Sequence, residues 1–164
     1  MASGDTLGFF TPYCNEPTTS NFATLDLRNS HPCLDFDAST NESAVFTGFL
    51  PSGYAGGGLT ITIIWAATSA TTGNVVWLAS IERLEDEGTD TDADSFAATQ
   101  TVTSAAPGTS GALQYSNITF TNGTQIDSLV VNEMYRIKIT RDAANVSDTM
   151  TGDAELFGVR IRET

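Results

Sequence analysis

The chain has 164 residues, 40% hydrophobic and 16% charged, with seven basic against twenty acidic side chains for a net charge of −13. That length suits one domain with a sizeable core, and the hydrophobic share excludes a disordered chain. The acid excess argues against a free nucleic-acid binder or an anionic membrane surface, and no apolar run reaches the roughly 18 residues of a membrane helix. Residues 1–5 lack the positive-then-apolar order of a secretory signal, so synthesis in a cytoplasm is expected.

Residues 1–22 read as an N-terminal arm, because Thr11-Pro12-Tyr13-Cys14-Asn15-Glu16-Pro17 holds two prolines and no period. Residues 23–164 are expected to form a single domain of short alternating runs. Residues 23–28 set Leu25 and Leu27 on one face, and Asn29-Ser30-His31-Pro32 signals a turn. Residues 33–37 oppose Leu34 and Phe36 to Asp35 and Asp37, and residues 43–50 oppose Val45, Thr47 and Phe49 to Phe46 and Leu50. A Gly-rich loop, 51–58, follows.

The two strongest runs come next. In residues 59–67, Leu59, Ile61, Ile63, Trp65 and Ala67 share one face; in 75–84, Val75, Trp77, Ala79 and Ile81 do. The polar stretch 68–73 ends in Gly73, so the two runs are expected to pair as an antiparallel hairpin with both tryptophans toward one core. Residues 96–104, 113–121, 135–140 and 157–162 supply further alternating strands, and 127–133 holds a helical turn at most. Eight or nine strands with no βαβ alternation predict an all-β, antiparallel two-sheet β-sandwich. A jelly roll comes first and an immunoglobulin-like sandwich second, since Cys14 and Cys33 do not flank a tryptophan.

Few residues carry recognisable chemistry. The loop 85–94 holds six carboxylates in ten residues, and Asp90, Asp92 and Asp94 resemble the opening of a calcium loop. The sixth and twelfth places counted from Asp90 hold Ser95 and Thr101 instead of Gly and Glu, so a solvated acidic loop is the plainer reading. Asp35 and Asp37 share a strand face, but alternation alone explains them as a polar surface. His31 is the single histidine, there is no GxSxG or CxxC, and no catalytic, cofactor or zinc set emerges. A disulfide between Cys14 and Cys33 would add about 3 kcal/mol by loop entropy; cytoplasmic synthesis instead favours free thiols. Tyr54, Tyr115, Trp65 and Trp77 are the candidates for a sugar platform, with the tryptophans placed in the core by pattern and Tyr54 expected to be exposed. Five of the seven basic residues, Arg136, Lys138, Arg141, Arg160 and Arg162, lie in or just after the last two strands, either balancing acids or forming a protein interface.

The stretch Val45-Phe46-Thr47-Gly48-Phe49-Leu50-Pro51, the run 59–65 and Gly73-Asn74-Val75-Val76-Trp77, with Arg141-Asp142, Asp148 and a final apolar strand, resemble β-sandwich structural proteins of tailed-phage virions over residues 43–163. The resemblance implies a capsid cement or decoration protein, often a homotrimer, on the virion surface against the major capsid protein or other virion subunits. It implies no catalytic residue and no cofactor. On that reading the arm 1–22 and the basic strand faces contact neighbouring subunits. The alternative is a carbohydrate-binding β-sandwich module of a phage tail fibre, spike or secreted enzyme, with exposed aromatics near Tyr54. A small glycosidase would need two carboxylates about 5–10 Å apart in a cleft.

Overall fold

A computed structural model describes residues 2–164. Its strands are β1 (Thr6–Phe10), β2 (Thr24–Arg28), β3 (His31–Phe36), β4 (Glu42–Phe49), β5 (Leu59–Ala67), β6 (Asn74–Leu84), β7 (Gln100–Ala105), β8 (Gln114–Phe120), β9 (Met134–Arg141) and β10 (Ala154–Glu163). Two 3-10 turns, Pro12–Cys14 and Thr124–Ile126, interrupt them; the second stands where the sequence suggested a turn slightly later. The strands form two antiparallel sheets, one ordered β2-β3-β10-β5-β8 with β1 also on β10, the other β4-β9-β6-β7.

β10 organises the larger sheet. One edge pairs with β5 along the whole strand, while the other is shared by β3 at 154–156 and β1 at 159–162. A register shift between Leu156 and Gly158 leaves Phe157 as the extra residue of a bulge. β1 lies inside the stretch read as an arm. Residues 15–23 then run along the edge of β4: Glu16 N–H donates to Val45 O, Ala23 N–H to Ser43 O, and Ser43 N–H to Asn21 O. Asn15 Oδ1 accepts from Val45 N–H and Glu16 Oε2 from the Thr47 hydroxyl. This segment covers an edge that would otherwise offer unpaired backbone groups to another chain.

The expected hairpin of β5 and β6 does not form. β5 pairs with β10 and β8, and β6 pairs with β7 and β9, so residues 68–73 cross from one sheet to the other. Each strand is apolar enough to sit between two neighbours, and the shared apolar faces meet across the core. Trp65 and Trp77 still share that core, their rings 5.9 Å apart at 66°, and Phe36 meets Trp77 edge-on at 5.1 Å. Trp65 Nε1–H donates to Ser116 Oγ, whose hydroxyl donates to Ser104 Oγ (2.9 and 2.7 Å), joining β5, β8 and β7 at one side of the sandwich.

Arg141 corrects a further expectation. It is 0% exposed and holds no surface for a partner. It follows Tyr135, Ile137 and Ile139 on the core face of β9. Its guanidinium grips Asp148 with two bonds (3.1 and 2.9 Å) and donates to the carbonyls of Phe36, Met150 and Gly152. The cysteines are not joined either: Cys14 is exposed and Cys33 is buried on the far face of β3.

Candidate functional site

The remaining basic residues do not converge. Arg136 and Lys138 lie on the outer face of the four-stranded sheet, both over the Phe96 ring at 5.2 and 5.7 Å. Arg136 is engaged there by Glu82 (2.8 Å) and by Asp94 (2.6 Å). Asp94 is thereby turned away from Asp90, whose Oδ1 accepts from Asp92 N–H. Among the described residues no group of three His, Cys, Asp or Glu side chains is placed to hold a metal ion. The acidic loop acts here as a strap across the sheet. Tyr54 is 8% exposed, not displayed: its hydroxyl accepts from Gly58 N–H and donates to Asn122 Oδ1, fixing the Gly-rich loop.

The two aspartates of 35 and 37 also separate. Asp37 lies past the end of β3, where Ser39 and Thr40 donate to it and hold its carboxyl below the usual range. Asp35 stays on the outer face of β3, opposite Glu155 of β10. Burial, then the neighbouring Asp153 and Glu155 charges, push it up to about 6. Glu155 forms an ion pair with Arg28 at 2.7 Å. Burial and the same Glu155 push the Cys33 thiol up to about 11, which makes it a poor nucleophile.

The open surface with mixed chemistry is the outer face of the six-stranded sheet. Alternation sends Leu59, Ile61, Ile63 and Trp65 of β5 inward, so Thr60, Thr62 and Ile64 lie on the outer side of the strand, where Ile64 is half-buried and the two threonines are buried (3% and 0% exposed). Register then sorts the face into rows. Tyr115, Ile64 and Gly158 lie side by side across β8, β5 and β10. The Phe9 ring of β1 covers Gly158, where an added Cβ would fall 2.6 Å from it. Tyr115 and Phe9 are each 54% exposed. The next row is Asn117, Thr62 and Arg160; the one after is Thr119, Thr60 and Arg162. Arg160 Nη2 donates to Thr62 Oγ1 (3.3 Å), which donates to Asn117 Oδ1 (2.7 Å). An aromatic row therefore borders exposed Asn117 and Thr119 on one side and half-buried Arg160 and Arg162 on the other, with Thr60 and Thr62 buried between them. Tyr115 was legible as a platform candidate; Phe9 was not, because β1 was hidden in the arm.

No protein-family model matches the chain, and no curated protein matches it. Solved structures do resemble it. The CBM36-1 domain of a multidomain xylanase from the hindgut metagenome of Trinervitermes trinervoides aligns over 96% of this chain and 97% of its own length, at 11% identity and a TM-score of 0.51. A CBM35 from Cellvibrio japonicus Abf62 aligns over 97% and 88%, at 14% identity and a TM-score of 0.47. The CBM22-1 xylan-binding domain of Paenibacillus barcinonensis Xyn10C aligns over 99% and 96%, at 10% identity and a TM-score of 0.47. The chain is an all-β jelly-roll sandwich, the fold of the first of these domains.

Proposed function

We propose that this chain is a non-catalytic carbohydrate-binding β-sandwich that receives a glycan on the outer face of its six-stranded sheet. The observation that carries the reading is the row of Tyr115, Ile64 and Phe9 beside Asn117 and Arg160, which are joined through the buried Thr62 hydroxyl. Sugar rings have apolar faces that stack on aromatic side chains and hydroxyl edges that need hydrogen-bond partners. A face with both, in adjacent strips, meets both needs. The fold shared with a xylanase's CBM36-1 domain supports the reading. Electrophoresis through gels containing soluble xylan, mixed-linkage β-glucan, mannan or polygalacturonate tests it. Retardation by one of these, weakened about tenfold by Tyr115→Ala, is expected. No retardation of the folded protein by any of them sinks the reading.

A second reading, a virion decoration protein, is favoured by a different surface. Leu25 and Leu27 of β2 are 51% and 59% exposed although they stand in register with Leu34 and Pro32 of β3. Tyr13 and Phe22 are exposed as well, and with Leu25 they line one apolar groove at this border. Such a border suits burial against a neighbouring subunit of a shell. Co-sedimentation with assembled empty shells, lost on Leu25→Asp with Leu27→Asp, would support it; no shell occupancy by the parent protein would remove it.

A further inference from the structure

We infer that the glycan is acidic, and that Arg160 and Arg162 receive its charged groups. This rests on the carbohydrate reading above and narrows its ligand class. Of the six arginines, Arg28, Arg83, Arg136 and Arg141 each hold a carboxylate, whereas Arg160 and Arg162 hold none among the described residues. In a chain with twenty acids and only seven bases, two arginines without a carboxylate partner among the described residues stand apart from the other four. Their Nε atoms are buried with no acceptor among the described residues. Arg160 spends one bond on Thr62, and Arg162 makes no side-chain hydrogen bond among the described residues.

The surroundings keep the pair available. Glu163 turns its carboxylate to the N–H groups of Ala55 and Gly57, and Asp5 turns to Ala2 N–H. Glu155 and Asp35 share the outer face but lie at the other end of β10, five positions before Arg160. That is roughly 15 Å along a strand, well beyond a Debye length of about 8 Å at physiological ionic strength. Arg160 and Arg162 stand two positions apart on one face, their backbones about 7 Å from each other, and each guanidinium carries planar donors suited to a carboxylate or sulfate. Tyr115 and Phe9 lie beside them to stack the ring that carries it.

The test runs the intact chain through gels containing polygalacturonate, highly methyl-esterified polygalacturonate, sulfated carrageenan, xylan or mixed-linkage β-glucan. Polygalacturonate or carrageenan is expected to retard the protein, and the two arms separate a carboxylate from a sulfate ligand. Esterification should abolish the first effect. Arg160→Gln and Arg162→Gln should each weaken binding roughly tenfold or more. Lys138→Gln, which removes the same charge from the opposite sheet, should not; thermal melts confirm that all variants are folded. Retardation by neutral polymers alone, unchanged in the arginine variants, overturns this inference and leaves the carbohydrate reading standing. Equal weakening by Lys138→Gln reveals a general charge effect and also overturns it. Retardation by none of the five overturns this inference, and with no retardation by mannan either it overturns the carbohydrate reading as well.

Discussion

Replacing Arg141 by Leu separates a structural role from an interface role. The side chain is fully buried with five hydrogen bonds, two to Asp148 and three to carbonyls of residues 36, 150 and 152. It holds the loop between β9 and β10 against the end of β3. Removing it leaves the buried Asp148 carboxyl without its guanidinium partner and with only Val76 N–H to meet it among the described residues. Breaking a buried pair from one side costs about 3–5 kcal/mol. In a domain of this length each kcal/mol moves Tm by about 2–4 °C, so a fall of about 6–20 °C is expected. Urea unfolding followed by tryptophan fluorescence gives the free energy directly, because Trp65 and Trp77 lie in the core. The double variant Arg141→Leu with Asp148→Leu should recover part of the loss, since it buries no unpaired charge. A loss under about 1 kcal/mol in the single variant, or a double variant as costly as the sum, would refute the reasoning.

Three further outcomes follow from named contacts. Asp35 has a folded pKa near 6 against an ordinary 3.8, so the folded state holds its proton more tightly. Its contribution to stability is complete below about pH 4 and is lost as pH rises through about 6. Asp35→Asn should therefore stabilise the protein at pH 7 by about 1 kcal/mol, allowing for its partial exposure, and flatten the stability profile between pH 4 and 6; denaturant titrations at several pH values read both. Maleimide should add once to the native protein, at exposed Cys14, and a second time only in denaturant, when buried Cys33 opens; two rapid native additions would contradict this. Gly48→Ala would set a Cβ 2.5 Å from the Tyr135 ring carbon and hydroxyl across the β4–β9 pair, at a cost of about 1–3 kcal/mol from overpacking measured by thermal melts.

How far the sequence reached depended on what alternation can encode. The span of β5 was readable to the residue because five apolar side chains recur at period two and the run is bounded by Gly58 and Thr68. Its partner was not, since periodicity fixes which face is buried and not which neighbour supplies the hydrogen bonds. A six-residue loop with four polar side chains, Ala70 and Gly73 serves a hairpin and a sheet-to-sheet crossing equally well. β1 escaped because Thr6–Phe10 is short, carries Gly8, and buries only Phe10 fully. Arg141 was misplaced although its signal was present: it shares odd parity with Tyr135, Ile137 and Ile139, and following that rhythm one more step puts it in the core. The outer rows of the candidate face depend on register across three strands, which no single strand's pattern contains. Tyr115 was visible as an aromatic opposite Ser116 and Ile118. Its neighbours Phe9 and Arg160 became so only once β1 and β8 flanked β10 and β5.

Amide chemical-shift mapping tests the central claim most directly. Titrating polygalacturonate fragments into isotope-labelled protein should move the resonances of Tyr115, Asn117, Ile64, Thr62, Arg160, Arg162 and Phe9 together, with one saturating affinity, and leave residues around Leu25, Phe22 and Phe96 in place. Shifts centred on the β2 border or the acidic loop, or none on the outer face of the six-stranded sheet for this or any glycan tried, would contradict the account.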